Sequence, residues 1–206
     1  MSKQMSKEIR SIVTSVGSIE ISIVSVEKPT PLENEVLIKV GASPINPSDL
    51  GLLISFAADL DSLCISGSGD ATVVKMKIHP GLMGAMKPRL DQSMQVGNEG
   101  GGVVEDAGNS IKGLIGKTVG VAGGAMYSQY RCVPVSSCLV MDDNTTPVEA
   151  ASSFVNPLTV LAFVETMKME NHSAIVNTAA ASNLGQMLVK VCNDEAIPLV
   201  NIVRKS

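Results

Sequence analysis

Residues 173–206, SAIVNTAAASNLGQMLVKVCNDEAIPLVNIVRKS, decide the fold of this chain. The runs AIVNT (174–178) and LVNIV (199–203) are short and apolar, which is typical of buried strands. Between them lie a turn of small residues and a segment from about Leu184 to Asn193 that we predict to be a helix. The stretch therefore predicts strand, tight turn, helix and strand, which together make one βαβ unit.

The turn of this unit has the composition of a phosphate-binding turn. Ala180, Ser182 and Gly185 occupy the three glycine positions of the pattern GxGxxG, although only the last of them is glycine. Small residues let the backbone approach a pyrophosphate, and the helix start at Asn183 and Leu184 supplies N–H donors. The same composition also fits an ordinary strand–helix turn, so the pattern alone leaves both interpretations open.

Two basic residues follow the second strand. Arg204 lies nineteen residues after Gly185, where an acidic residue would bind a ribose 2′-hydroxyl and favour NAD. Arg204 and Lys205 suit a 2′-phosphate instead, which predicts NADP. The alternative is that these two residues form a solvated basic end of the chain.

Composition narrows the class of protein. The chain has 206 residues, of which 45% are hydrophobic, and a net charge of −4, which gives no electrostatic case for nucleic acid or an anionic membrane. No apolar run reaches the roughly 18 residues of a membrane helix, and the first ten residues lack the apolar segment of a signal peptide. We therefore expect a cytoplasmic protein. The four cysteines form no CxxC pair, which argues against a zinc site or disulfide framework.

The chain changes character near residue 144. Before that point, alternating or glycine-rich runs predict strands, and they lie at 19–23, 36–40, 96–105, 116–121 and 127–135. Pro47 opens a short helix with Asn46 as its cap, and residues 51–95 are expected to be a long, partly mobile excursion. Helices begin at the capping box TPVE (146–149), and Asn156-Pro157 repeats the cap-then-proline signal.

Five segments together resemble the medium-chain dehydrogenase/reductase superfamily, in its zinc-independent quinone oxidoreductase-like branch. They are NPSD (46–49), GNEGGGVV (97–104), GKTVG (116–120), NPLT (156–159) and the turn described above. The resemblance implies the fold class α/β plus β. It implies a GroES-like β-barrel, the catalytic domain, at residues 1–143 and a partial Rossmann NADP-binding domain at 144–206, with the active site between them.

The same resemblance implies a site without metal. Zinc-dependent members place a cysteine where this chain has Asn46 and a histidine where it has Asn98, and amides are poor zinc ligands. By resemblance, Asn46 and Asp49 are the catalytic residues beside the nicotinamide, and Asn46 and Thr159 orient its carboxamide or ribose. The competing interpretations are that Asn46 is only a helix cap and Thr159 only a first-turn residue.

The implied reaction is hydride transfer from NADPH to a small-molecule carbonyl or quinone. A complete doubly wound domain has about six parallel strands, and this chain supplies two, so we expect a C-terminally truncated member with impaired activity. Its last strand would present an apolar open edge. The alternative is a non-catalytic remnant that acts, if at all, as a self-associating or partner-binding module, and a homodimer is one form of it.

Overall fold

The computed structural model describes residues 4–204, which form two compact units that divide between Ala151 and Ser152. The sequence had suggested a boundary between residues 143 and 144. The structural division lies later because the short helix that follows Thr146 packs on strands of the first unit. No helix among the described residues is long and apolar enough to cross a membrane.

The first unit consists mainly of strands. They are β1 (Met5–Thr14), β2 (Ser18–Glu27), β3 (Glu35–Ala42), β4 (Ala58–Ser66), β5 (Val73–Ile78), β6 (Ser93–Gln95), β7 (Glu99–Ala107), β8 (Thr118–Ala122), β9 (Tyr130–Pro134) and β10 (Cys138–Val140). The α-helices of this unit are α1 (Pro47–Leu53), α2 (Met83–Met86) and α3 (Pro147–Ala150). Short 3-10 turns connect several of these elements.

The strands pair into two antiparallel sheets of five. The first sheet has the order β4-β5-β2-β1-β6 and the second has the order β10-β8-β7-β3-β9. In the first sheet, the β1–β2 hairpin turns at Gly17, whose φ of 84° favours glycine. Each sheet has its own apolar core, built around Ile19 and Met76 in the first and around Ile38 and Val104 in the second. The α/β plus β class that the sequence predicted is thus present in its β part.

The expectation of a long, partly mobile excursion at residues 51–95 is wrong, because β4 and β5 extend the first sheet. Strand β5 pairs with β2 in antiparallel register from Ser18↔Lys77 to Ser22↔Val73. The run VVKMKI alternates, so that Met76 and Ile78 enter the core while Lys75 and Lys77 stay exposed. The neighbouring glycines, serines and lysines concealed this period of two in the sequence.

The second unit contains α4 (Val155–Met169), β11 (Ile175–Asn177), α5 (Asn183–Asp194) and β12 (Leu199–Asn201). Strands β11 and β12 are parallel, with Ile175 opposite Leu199, so the predicted strand, turn, helix and strand are confirmed. Both helices contribute to the core, α4 through Val164 and α5 through Leu188. Helix α4 begins at Val155, two residues earlier than Asn156-Pro157 indicated, because a proline is tolerated within the first turn, where N–H groups have no intrahelical acceptor.

Candidate functional site

Within the first unit, a candidate site is built at the start of α1. Pro47 is the first helical residue and Asn46 is the N-cap, as the sequence predicted. The Asp49 side chain reaches back one turn, and its Oδ2 accepts a hydrogen bond from the Asn46 backbone N–H at 2.7 Å. This contact satisfies an N–H group that precedes the helix and fixes the angle at which the chain enters α1.

Asp49 also ties α1 to the second sheet. Its Oδ1 accepts a hydrogen bond from the Asn98 backbone N–H at 2.8 Å, just before β7 begins. The side chain of Asp49 is buried, with 1% exposed, and both of its oxygens therefore bind backbone groups of this unit. Asp49 thus holds two chain segments together.

The Asn46 side chain also contacts the second sheet. Its Nδ2 donates to Oε1 of Glu99, the first residue of β7, at 2.7 Å, and both side chains are buried. The Asn98 amide donates in turn to the Ser48 hydroxyl at 3.1 Å. We call Asn46, Asp49, Asn98 and Glu99 the amide–carboxyl cluster.

Tyr127 packs beside this cluster. Its hydroxyl donates to the Pro44 carbonyl at 3.0 Å, and a Cβ on Gly97 would lie 2.5 Å from the Tyr127 ring, so glycine is needed there. Burial, and after it the charge of Asp49, raises the pKa of Tyr127 above its ordinary value. Tyr127 is therefore a neutral side chain whose hydroxyl hydrogen already has a backbone acceptor.

The chemistry of the cluster is that of amides and carboxyl groups. Asn46 and Asn98 supply the amides, and Asp49 and Glu99 supply the carboxyl groups. Within residues 4–204, no group of three or more His, Cys, Asp or Glu side chains could hold a metal ion. The arrangement can orient a polar ligand by hydrogen bonds, since an amide oxygen such as Asn46 Oδ1 has two lone pairs that can accept them.

A separate candidate site lies within the second unit, at the turn between β11 and α5. Ser182 is the N-cap of α5, and its hydroxyl accepts from the Gly185 N–H at 3.0 Å while donating to the Ala179 carbonyl at 2.7 Å. A Cβ on Gly185 would lie 2.4 Å from that same Ala179 oxygen, so only glycine lets the helix approach the strand this closely. Ala180 is buried within the second unit.

The N–H groups of Asn183 and Leu184 belong to the first turn of α5, where helix geometry provides no acceptor. Together with the small residues before them, they are the donors that this turn offers to an anion. The Asn177 side chain stabilises the turn. Its Nδ2 donates to the Gly185 carbonyl at 3.3 Å and to the Asn201 Oδ1 at 3.1 Å.

The remaining predicted residues lie elsewhere in the second unit. The Thr159 hydroxyl donates to the Val155 carbonyl, one turn earlier in α4, at 2.6 Å. Arg204 follows β12 and is exposed, whereas Lys205 lies outside the described residues. The structure thus joins Asn46 to Asp49 within the first unit, and joins Ala180, Ser182 and Gly185 within the second.

Sequence reasoning missed Glu99 as a partner of Asn46. The available signal was its position, because a glutamate inside a glycine-rich and otherwise apolar strand is buried and needs a hydrogen-bond partner. The identity of that partner could not be read from spacing, since Asn46 lies in a different element.

No family model matches the chain. It is 27% identical, over 180 residues, to a mitochondrial enoyl-[acyl-carrier-protein] reductase of Xenopus tropicalis, covering 84% of this chain and 43% of that protein. It is 22% identical to a zinc-type alcohol dehydrogenase-like protein of Schizosaccharomyces pombe, covering 98% of this chain and 54% of the other. The chain therefore spans about half the length of the curated relatives it matches.

Solved structures share the fold. The quinone oxidoreductase from Coxiella burnetii superposes with a TM-score of 0.68 at 18% identity, covering 98% of this chain and 57% of that one. Escherichia coli quinone oxidoreductase, solved in complex with NADPH, gives a TM-score of 0.66 at 18% identity, with 97% and 53% covered. At these identities the likeness establishes the fold, and the resemblance inferred from the sequence is confirmed at that level.

Proposed function

We propose that this chain, which has the fold of the medium-chain dehydrogenase/reductase superfamily, is an NADPH-dependent oxidoreductase that transfers hydride to a small neutral carbonyl compound or quinone. One observation carries the proposal. The turn after β11 is capped by Ser182 and packed through Gly185, at the place where a parallel strand meets a helix N-terminus. Relatives described as enoyl reductase and quinone oxidoreductase support it.

The residues of the turn fit a dinucleotide. Small side chains precede the helix, the N–H groups of Asn183 and Leu184 are available as donors, and the helix dipole adds partial positive charge. Arg204, exposed after β12, would bind a 2′-phosphate and so select NADPH over NADH. NADPH, when bound, supplies the hydride; the chain supplies position and hydrogen bonds.

The domain assignment is part of the same proposal. The first unit would be a GroES-like catalytic domain, an assignment supported by its two antiparallel sheets and the glycine-rich strand β7. The second unit would be a partial Rossmann domain, supported by the parallel β11–β12 pair and its connecting helix. Because the chain spans about half of its relatives, the proposal concerns the part of the reaction machinery that it contains.

The roles proposed in the amide–carboxyl cluster follow from its hydrogen bonds. Asn46 would orient the nicotinamide carboxamide or ribose through its Oδ1, while Glu99 holds its Nδ2. Asp49 would act as a positioning residue, since both its oxygens bind backbone N–H groups. Thr159 is proposed as a further contact to the cofactor. The site would work without zinc, because amides replace the ligands that zinc requires.

The experiment is a reductase assay that follows NADPH absorbance at 340 nm with menadione or trans-2-octenal as acceptor. We expect acceptor-dependent oxidation that falls about tenfold or more in Asn46→Ala, because the orienting amide is lost. Asn109→Ala, a substitution at an exposed asparagine away from the cluster, is the matched control and should leave the rate unchanged. Equal rates for the two variants would contradict the role of Asn46.

A second candidate function rests on a different observation. Four apolar side chains on or just after the two-stranded sheet are at least half exposed, namely Val176, Val200, Ile202 and Val203. Parallel sheets are normally covered on both faces, so this surface favours a self-associating or partner-binding module. Light scattering after size exclusion separates the candidates, because a dimer that dissociates in Val200→Lys, without NADPH oxidation, would support the second one.

A further inference from the structure

The first unit contains an open cavity of about 470 Å³ that none of the predicted residues lines. Its walls come from β1, β2, the end of β3, α1 and the segment 126–129. The side chains that set its character are apolar, namely Ile9, Ile21, Val40, Ala42, Leu53 and Met126. This volume lies within the range of small-molecule sites.

The three hydroxyl groups of the wall already have partners inside the protein. The Ser43 hydroxyl donates to the Met126 carbonyl at 2.9 Å, and the Tyr127 hydroxyl donates to the Pro44 carbonyl at 3.0 Å. The Ser128 hydroxyl donates to the Ala125 carbonyl at 3.1 Å. Their hydrogens therefore point into the protein. The remaining polar side chain of the wall is the neutral amide of Gln129, whose Oε1 accepts from the Lys7 N–H at 3.0 Å.

The wall also lacks charge. No Asp, Glu, Lys or Arg lines the cavity in the part of the chain that the structure describes. An ion that entered would lose its hydration without a counter-charge, whereas an apolar molecule would gain contacts with side chains that water solvates poorly. The chemistry of the wall thus selects a neutral, largely hydrocarbon ligand.

We propose that this cavity is a binding site for a neutral apolar small molecule, and that the first unit alone forms it, so binding requires no NADPH. The site adjoins the amide–carboxyl cluster, because Ile45 lines the cavity and directly precedes Asn46. A ligand in the cavity would therefore lie beside the proposed reaction centre. The inference goes beyond the proposed function, since it holds or fails without the cofactor.

The test is a titration of the full chain with the neutral probe N-phenyl-1-naphthylamine, whose fluorescence rises in apolar surroundings, in the absence of NADPH. We expect saturable binding that 2-decanone displaces and decanoate does not, because the wall offers no counter-charge. Ala42→Leu fills the cavity and should weaken probe binding about tenfold or more. Ala71→Leu adds the same bulk at an exposed position and should leave the affinity unchanged.

A second pair of variants keeps the test possible if Ala42→Leu does not fold. Leu53→Phe narrows the cavity from α1, and Leu139→Phe makes the same change at an exposed position of β10. The proposal is overturned if folded wild-type chain shows no saturable binding, if cavity and surface variants bind the probe equally, or if decanoate competes as well as 2-decanone. Each of these results stands whatever the reductase assay gives.

Discussion

The Asn46 amide donates a hydrogen bond of 2.7 Å to the Glu99 side chain, and both residues are buried. The contact connects the start of α1 with the start of β7, two elements that are distant in sequence. It also orients the Asn46 amide, because Nδ2 is engaged by Glu99 and Oδ1 is the acceptor of this side chain. Glu99 thereby sets the orientation of the residue that we propose to orient the cofactor.

Loss of this contact should destabilise the first unit. In Asn46→Ala the Glu99 side chain loses a buried hydrogen bond, which costs about 1–3 kcal/mol of the free energy of unfolding. Urea denaturation followed by circular dichroism measures this. Asn98→Ala removes only the solvent-exposed hydrogen bond to Ser48, and should cost less than about 1 kcal/mol. Equal urea midpoints for the two variants would show that the Asn46–Glu99 hydrogen bond stabilises the unit no more than the Asn98–Ser48 bond does.

The turn after β11 should be sensitive to a single methyl group. Gly185→Ala would place a Cβ 2.4 Å from the Ala179 oxygen, so α5 has to move away from β11 and the second unit loses stability. Ser182→Ala removes the helix cap and should cost about 1 kcal/mol, without displacing the helix. Amide hydrogen exchange in α5 distinguishes the two, with faster exchange in Gly185→Ala. Faster exchange in Ser182→Ala than in Gly185→Ala would contradict the close packing of α5 against β11.

The capping box of α3 should give a measurable pH dependence. Hydrogen bonds from the Thr146 backbone and then from its side chain lower the pKa of Glu149 below its ordinary 4.5. A lowered pKa contributes stability that is present above the unfolded value and is lost as the pH falls through the folded one. Wild type should therefore exceed Glu149→Ala in urea midpoint at pH 7, with the difference shrinking below about pH 4.5. A difference independent of pH would contradict the capping role of the Glu149 charge.

The four cysteines should react in a fixed order. Burial raises the pKa of Cys132 and of Cys138 to about 11. Cys192 is buried in the core of the second unit. Cys64 is exposed on β4. Because the thiolate is the nucleophile, iodoacetamide at pH 8 should modify Cys64 first. Peptide mass spectrometry identifies the modified cysteines. As a control, all four cysteines should react in guanidinium chloride. Labelling of Cys138 before Cys64 would be inconsistent with this structure.

The parts of the fold that the sequence predicted are those with local signals. The strand, turn, helix and strand of residues 175–201 follow from apolar runs on either side of small residues. The starts of α1 and α3 follow from cap-then-proline patterns. In contrast, Asn156-Pro157 has the same pattern inside a helix that begins earlier, since tertiary packing of α4 overrides the local signal.

The parts that escaped prediction depend on contacts distant in sequence. Strand β5 joins the first sheet because β2 offers it a partner, which composition cannot reveal. The Asn46–Glu99 bond likewise joins elements whose proximity only the folded sheet creates. The sequence places Gly97 in a glycine-rich strand and Gly185 in a turn. Only the structure shows why each must be glycine, since a Cβ would meet the Tyr127 ring at position 97 and the Ala179 oxygen at position 185.

The most direct test of the central claim is a titration of the chain with NADPH and with NADH, followed by nicotinamide fluorescence. The account predicts saturable binding with a preference for NADPH, and a loss of about tenfold in NADPH affinity, but not in NADH affinity, for Arg204→Ala. Lys112→Ala, at an exposed basic residue of the first unit, should change neither affinity. A folded chain that binds neither nucleotide, or an Arg204→Ala variant that keeps the preference, would contradict the account.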